Sequence, residues 1–367
     1  MTLKSATYLV FFCLPIFSFF LPSIHDYALY LEQWHHILKG NDPWRGTLNA
    51  YGPVYSFMAL LVKVHERLPA LLFLAVYFFS IYTFCKDQKL KLDTPSLIFL
   101  IANPLFLIFG VLYSNNDVLL AGLILLFLDQ TQAKNFRMAG VILGLAISFK
   151  FSVIFLVPIL FLQEKKWFPR SLVSLGMTVA LLYGISYLIW GDTFIIPFLY
   201  GTERGSRLLS VFRFIRGNYQ PLKFMGIFNL DKYNTLILGG SSLVALFLIY
   251  RQKIQNAFLQ AAILLTTVFM IYKVGNHQYF LTVFPLLAVI NQQIKNTSIS
   301  RSSWILLGWY SLATLLYHFT RQEFQWGYSG TFFSIREWIG LPTFIVQVLC
   351  LFLLFKGASA FKQSPNL

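Results

Sequence analysis

The sequence predicts an all-α polytopic membrane protein with about 10–13 transmembrane helices. Hydrophobic residues make up 57% of its 367 residues and charged residues only 12%, whereas soluble domains have about 25% charged residues. Apolar segments recur along the chain with short polar breaks between them. Lipid-facing positions can stay apolar in a bilayer, so such a chain needs no continuous polar surface.

The apolar segments give the order of the predicted spans. Lys4 and the apolar residues 8–21 look like a signal peptide, but no cleavage site of the small-x-small type follows, so we expect an uncleaved first helix. The predicted spans cover residues 6–24, 69–85, 95–112, 117–128, 138–149, 151–162, 171–189, 235–250, 257–272, 279–290, 304–319 and 338–355.

Lys150 separates two apolar segments that are each too short to cross a bilayer. Such a pair predicts a broken or re-entrant element that faces a cavity. A lone lysine in this setting costs about 2.5–3.5 kcal/mol unless it is paired or hydrated. It is therefore a candidate for binding an anionic ligand, with structural pairing to a carboxylate such as Asp117 as the alternative.

Lysine and arginine in the short loops predict the orientation. Basic residues cluster in the loops 86–91, 134–137, 165–170, 251–253, 295–301 and 356–362. Short basic loops are typically cytoplasmic, which places both termini inside. The outer loops are then 25–55, 113–116, 191–234, 273–277 and 320–337. The net charge of +15 indicates contact with anionic headgroups and no nucleic-acid partner. We expect a single domain, 1–367.

The outer loop 191–234 departs from this charge pattern because it carries several cations. They are Arg204, Arg207, Arg213, Arg216, Lys223 and Lys232. Arginine provides planar paired donors that suit phosphate. The loop is therefore a candidate anion site, in which Arg213 and Arg216 are predicted to grip a phosphate, and a solvated loop is the alternative.

The first outer loop predicts an amphipathic helix over residues 25–40. Apolar residues recur at helical spacing, namely Tyr27, Tyr30, Leu31, Trp34, Ile37 and Leu38. Asp26 stands at the predicted start, where a carboxylate can also be a simple helix cap. Glu32 and His36 are spaced to pair on a wet face. Together with His35 they are also a candidate metal site.

Several motifs together resemble the GT-C glycosyltransferases, and look most like the first mannosyltransferase of GPI-anchor assembly. The motifs are His25-Asp26-Tyr27, Glu32, Gly40-Asn41-Asp42-Pro43-Trp44, Tyr51-Gly52-Pro53, Ser148-Phe149-Lys150-Phe151, Lys273-Val274 and Gln278-Tyr279-Phe280. They occur in the order of that family. Glu32 replaces its second aspartate, and Ser148 replaces the histidine of its His-Phe-Lys segment.

This resemblance implies a GT-C-like fold and an inverting glycosyltransferase that uses a polyprenyl-phosphate sugar, with mannose as the family donor. Asp26 is then the expected general base, with Glu32 second in line, since a carboxylate must deprotonate the acceptor hydroxyl. Donor contacts are expected from Lys150, Lys273, His277, Gln278 and Tyr279. The acceptor is a hydroxyl of a glycan, lipid or protein.

The expected location is a bacterial plasma membrane, with the active site at the outer interface and facing the periplasm or exterior. A lipid-linked donor lies in the bilayer, so the chemistry belongs at this interface. No cofactor is predicted, and a divalent metal ion is left open. The alternative function is a transporter or flippase of a lipid-linked or anionic substrate, which broken helices and a buried lysine also suit.

Overall fold

The computed structural model describes residues 3–45, 49–88, 92–163, 165, 168–203, 207–218, 230–319 and 339–361. Nearly all of them are helical, and each described strand is two residues long. The chain forms two compact units: the first contains Met1–Leu97 and Phe106–Gly201, and the second contains Ile98–Leu105 and Thr202–Leu367. The expectation of one domain over 1–367 stays a prediction.

The described residues of the first unit form helices joined by loops and turns. Its helices are α1 (Leu3–Phe19), α2 (Asp26–Leu38), α3 (Pro53–Phe57), α4 (Ala59–Val62), α5 (Leu68–Gln88), α6 (Thr94–Leu100), α7 (Asp117–Gln132), α8 (Phe136–Phe149), α9 (Val157–Gln163), α10 (Phe168–Trp190) and α11 (Ile196–Glu203), with the last residues of α6 and α11 in the second unit. A π-helix, Phe106–Leu112, precedes α7, and 3-10 turns cover Phe151–Leu156 and Gly191–Ile195.

The second unit combines long helices with one pair of short strands. Its helices are α12 (Val211–Asn218), α13 (Leu230–Arg251), α14 (Ala257–Ile271), α15 (Phe284–Gln293), α16 (Thr297–Phe319) and α17 (Gly340–Phe361). Strands β1 (Arg207–Leu208) and β2 (Val274–Gly275) pair in parallel. A 3-10 turn, His277–Thr282, leads from β2 to α15. Residues 257–269 of α14 are all buried, so this helix forms the core of the unit.

The polytopic all-α class is confirmed. Among the described residues, four helical segments are long and apolar enough to cross a membrane: Leu68–Lys86, Phe168–Leu199, Tyr233–Arg251 and Gly340–Ser359. The bent pair Phe106–Leu112 and Asp117–Gln132 makes a fifth if it counts as one span. Shorter apolar helices, including Phe136–Phe149 and Ala257–Ile271, correspond to other predicted spans. The predicted total of about 10–13 thus includes segments that are individually too short to cross.

The predicted helix break at Lys150 is confirmed. Helix α8 ends at Phe149, Lys150 is extended with φ −147° and ψ 112°, and a 3-10 turn follows before α9. A second break separates the π-helix from α7, where the axis bends by 105°. Ser114 in this turn has a positive φ of 47°. Both breaks expose backbone and side-chain polar groups to the interior of the first unit.

Small residues bring α8 and α10 into close contact. A Cβ at Gly140 would lie 2.3 Å from the carbonyl oxygen of Ser171, and one at Gly144 would lie 2.9 Å from Cβ of Thr178. The helices can approach so closely only because glycine has no side chain. This close contact, which we call the α8–α10 seam, holds α8, the short helix that ends before Lys150, against the long apolar helix α10.

The first loop and the start of the loop after α10 lie at the same end of the first unit. The ring of Trp190, the last residue of α10, is 5.6 Å from the ring of Trp44 and 5.8 Å from that of Phe57, measured between centroids. Lys86 stands at the far end of α5, about 30 Å along the helix axis from Leu68. The orientation of this unit across the membrane stays a prediction. Lys89 and Lys91 lie outside the described residues, as do Lys166, Arg204, Lys223 and residues 320–337.

Candidate active site

Asp26 is the first residue of α2 and does not cap the helix. The N-cap is His25, which has a positive φ of 56°. The predicted apolar stripe is confirmed for Tyr27, Tyr30 and Trp34, which are buried and anchor the helix to the unit. Asp26 itself is half-buried. Its carboxylate therefore combines a fixed backbone with access from outside, which a general base requires.

Asn115 connects Asp26 to the start of α7. Its Nδ2 donates to Oδ2 of Asp26 at 2.9 Å and lies 3.4 Å from Oη of Tyr30. Its Oδ1 accepts from the backbone N–H of Asp117 at 2.9 Å. The rings of His25 and Tyr113 also pack together, with their centroids 3.7 Å apart. The first loop is thus joined to the 113–116 loop by both polar and aromatic contacts.

Asp117 holds the lysine at the helix break. Nζ of Lys150 is 2.5 Å from Oδ1 of Asp117, and the two side chains are 14% and 2% exposed. The structural pairing that was the alternative role for Lys150 therefore exists. Oδ2 of Asp117 is buried and accepts no hydrogen bond within the part of the chain that is described. Asp26, Asn115, Asp117 and Lys150 form one cluster, which we call the acid–lysine cluster.

Two tyrosines, the buried Tyr30 and the half-buried Tyr51, line the acid–lysine cluster. The hydroxyls of Tyr30 and Tyr51 are 3.3 Å apart, and Nζ of Lys150 lies 5.9 Å from the centre of the Tyr51 ring. Burial raises the pKa of Tyr30 well above its ordinary value and also raises the pKa of Tyr51. Both phenols stay protonated at neutral pH, so they can donate hydrogen bonds to an oxygen-rich ligand.

The Tyr51-Gly52-Pro53 and Ser148-Phe149-Lys150 motifs are in direct contact. The backbone N–H of Gly52 donates to the carbonyl of Phe149 at 3.1 Å. A Cβ on Gly52 would lie 2.3 Å from the carbonyl oxygen of Ser148 and 3.0 Å from the Tyr183 hydroxyl. Only glycine fits this close approach of backbone to backbone. The motif spacing did not predict this contact.

We expect Gly52→Ala to destabilise the protein by about 1–3 kcal/mol, because the added methyl must displace the backbone at the end of α8. The same displacement should move Lys150 and lower activity. Gly184→Ala is the matched control, since a Cβ there meets nothing within 4 Å. Thermal unfolding of both variants in one detergent measures the difference. Equal unfolding midpoints for the two would contradict this account of the contact.

Glu32 does not join the acid–lysine cluster. It is exposed on α2, and on this helix it is His35 that lies near a carboxylate, with 3.4 Å between its Nε2 and Oε1 of Glu66. The proposed pairing of Glu32 with His36 is not observed. Within the described ranges, no three histidine, cysteine or acidic side chains are grouped to hold a metal ion. Cys13, Cys85 and Cys350 are free thiols.

The residues predicted to bind the donor from the 273–279 region lie in the second unit and are buried. Lys273 precedes β2, and its backbone N–H donates to Oδ1 of Asn234 at 3.3 Å. His277 is fully buried, 4.8 Å from the ring of Tyr317, and burial lowers the pKa of His277 to about 3. Its ring is therefore neutral at pH 7. Gln278 is buried beside it on the same 3-10 turn.

Tyr279 is buried and packs against Phe269, with ring centroids 5.3 Å apart. This packing differs from the lipid-facing position of an aromatic-belt residue. Arg213 lies half-buried on α12 in the same unit. Arg216 is on α12 as well, and its side chain lies outside the part of the chain that is described.

Asn115 is the site residue that sequence reasoning missed. Asn115-Asn116-Asp117 is a polar run between two apolar segments, in a loop predicted to face outward. This polar run is the sequence feature that could have identified Asn115 as a site residue. The sequence alone does not show that the run meets Asp26, which is 89 positions away.

Comparison with known proteins identifies a family. The family model of glycosyltransferase family 87 matches residues 51–272, which is more than half of the chain. The matched range contains Tyr51, Asn115, Asp117 and Lys150, while Asp26 lies before it. No curated protein matches the chain.

Proposed function

Because the chain belongs to glycosyltransferase family 87, a GT-C-type membrane family, we propose that it is an inverting hexosyltransferase with a polyprenyl-phosphate sugar as donor. The observation that carries the proposal is the acid–lysine cluster, in which Asn115 and the start of α7 connect the half-buried Asp26 carboxylate to the Asp117–Lys150 ion pair. A carboxylate for the acceptor and a cation for a phosphate are the two groups that such a transfer needs.

In the proposed reaction, Asp26 takes the proton of the acceptor hydroxyl. The acceptor oxygen forms a bond to the anomeric carbon of the sugar while the bond from that carbon to the phosphate oxygen breaks. Polyprenyl phosphate leaves with the electron pair, and the configuration at the anomeric carbon inverts. A single displacement requires one carboxylate and no covalent intermediate.

Lys150 is the proposed electrostatic partner of the donor phosphate. Its ammonium carries three donors, and one is directed to Oδ1 of Asp117. A cation held in a low-dielectric site stabilises the negative charge that develops on the leaving phosphate. The hydroxyls of Tyr30 and Tyr51 are further proposed donors to the substrate, since both stay protonated at neutral pH.

The second unit is proposed to contribute donor contacts of its own. Lys273, Gln278 and Tyr279 are assigned to the donor sugar or phosphate, and Arg213 with Arg216 to the phosphate. His277 joins the donor set as a neutral hydrogen-bonding group, because its lowered pKa leaves it without a charge. The sugar is proposed to be mannose, from the resemblance to the GPI-anchor mannosyltransferase.

The proposed partners follow from the chemistry. The donor resides in the lipid bilayer, and the acceptor is a glycan, lipid or protein that presents a hydroxyl at the interface. The proposed setting is a bacterial plasma membrane with the active site facing the periplasm or exterior. The basic loops 134–137 and 165–170 support the orientation through the positive-inside rule.

One assay tests the function directly. Purified protein in liposomes is given a panel of polyprenyl-phosphate sugars, together with a membrane glycolipid fraction as acceptor, and released polyprenyl phosphate is measured. We expect release from the mannose donor with equal incorporation of mannose, and none from the Asp26→Asn variant. Movement of the intact sugar lipid between leaflets without cleavage would instead identify a transporter. Consumption of a nucleotide sugar alone would contradict the proposed donor.

A further inference from the structure

We propose that Asn115 is a positioning residue that holds the Asp26 carboxylate in its ionised form and in one orientation. The inference deepens the proposed function and rests on Asp26 being the general base. It assigns a role to a residue that never touches the reacting atoms. The role follows from the three side-chain hydrogen bonds of Asn115 and from the way its backbone is fixed.

The orientation of the Asn115 amide is determined by its neighbours. The backbone N–H of Asp117 can only donate, so the atom it contacts at 2.9 Å must be the oxygen of the amide. The opposite atom is then the NH₂ group, which faces Oδ2 of Asp26 at 2.9 Å. Asn115 therefore gives Asp26 a donor and no acceptor. A donated hydrogen bond favours the charged form of a carboxyl group.

The backbone of Asn115 is held as firmly as its side chain. Its N–H donates to the carbonyl of Phe109 in the π-helix at 2.8 Å, and its own carbonyl accepts from Val118 at 3.3 Å. The residue is only 1% exposed. The amide cannot turn away from Asp26 without breaking its bond to α7. It therefore restrains the direction of the Asp26 carboxylate, which a proton acceptor in a displacement reaction needs.

The network also relates Asp26 to the ion pair. Asn115 accepts from the N–H of Asp117, and the side chain of Asp117 binds Lys150. The proton acceptor and the proposed phosphate partner are thus attached to adjoining parts of one helix start. A shift of the α7 N-terminus would move both groups together.

Asn115→Asp is the sharpest test. An aspartate of the same shape can still accept from the N–H of Asp117, but it cannot donate to Asp26 when ionised and adds a like charge. We expect kcat at pH 7 to fall about 10-fold or more, and the midpoint of the acidic limb of the rate profile to move up by about one pH unit or more. The rate should recover toward wild type as pH rises, because Asp26 then regains its ionised form.

Asn135→Asp is the matched control. Asn135 caps α8 by accepting from Met138 at 3.5 Å, and aspartate is an equally good cap. Its rate and pH profile should equal those of wild type. Asn115→Ala is the second variant. It should also move the pH midpoint of the acidic limb upward, and it adds no charge. Unfolding midpoints of all variants verify that the fold is kept.

The outcomes separate this inference from the function it rests on. If Asp26→Asn is inactive while both Asn115 variants keep the wild-type rate and pH midpoint, the positioning role is wrong and the proposed function stands. A lower rate in both Asn115 variants at every pH, with an unmoved midpoint, also overturns the role, because a purely structural residue behaves in that way. Full activity of Asp26→Asn overturns the general base and this inference with it.

Discussion

Replacing Asp26 with asparagine is expected to lower the transfer rate by about 10²–10⁴-fold, the usual effect of losing a general base. Asparagine keeps the size of the side chain, and its amide oxygen can still accept from Nδ2 of Asn115. The first loop should therefore keep its position. The substitution should leave the cap of α2 unchanged, because the N-cap residue is His25. Initial rates with the purified variant, at saturating donor, measure the effect.

Two carboxylates of the same loop serve as controls. Glu32→Gln should stay within about threefold of wild type, because Glu32 is exposed and outside the cluster. Asp42→Asn should behave likewise, since Oδ1 of Asp42 accepts in the local turn, from the N–H groups of Trp44 at 2.8 Å and Arg45 at 3.2 Å. If Asp26→Asn transfers sugar at nearly the wild-type rate and Glu32→Gln does not, Glu32 is the base.

Lys150→Met should destabilise the protein by about 3–5 kcal/mol, because it leaves the buried carboxylate of Asp117 without its cation. If Lys150 only bound an anionic ligand, as its candidate role from the sequence implies, the variant would lose binding alone. The ion pair changes that expectation, since lost stability and lost binding now occur in the same variant. Denaturant or thermal unfolding in detergent measures the first effect.

The double variant Lys150→Met with Asp117→Asn separates the two effects. Removing both charges should restore much of the stability, because no unpaired charge then remains buried. Donor KM should stay about 10-fold or more above wild type, since the hydrogen-bonding cation for the phosphate is still absent. A double variant with both wild-type stability and wild-type donor KM would show that Lys150 is only the structural partner of Asp117.

The fold class and several local features were predictable because they depend on short-range patterns. Apolar periodicity gave the amphipathic helix α2, whose buried stripe contains Tyr30 and Trp34. The shortness of two apolar segments gave the break at Lys150. Helix ends were less accurate, and the predicted span 95–112 is in fact α6, a non-helical break and a π-helix. Such breaks depend on backbone strain and packing, which cannot be read from the composition of a segment.

The candidate site was predictable only in part, because its contacts join distant segments. The sequence indicates Asp26 through a motif. It indicates Lys150 separately, as a lone charge between two apolar segments. The hydrogen bond between Asp26 and Asn115 and the close approach of Gly52 to Ser148 depend on how four segments pack. Asp117 was named from the sequence as an example of a carboxylate that could pair with Lys150. Asn115 carries no charge, so no electrostatic argument singled it out.

The seam between α8 and α10 makes the surrounding lipid part of the support of the site. In the apolar segment Phe168–Leu199, only 11% of the most hydrophobic stretch is buried within the protein. Nearly all of α10 outside its contact with α8 therefore needs hydrocarbon around it. As a straight helix, the 23 residues of α10 are about 35 Å long, somewhat longer than the bilayer core of about 30 Å. Membrane thickness therefore influences the tilt of α10, together with the packing of this helix against α8. Through Gly140 and Gly144, that tilt acts on the half-helix ending at Lys150, so activity should vary with acyl-chain length and decline when short-chain detergents replace lipid.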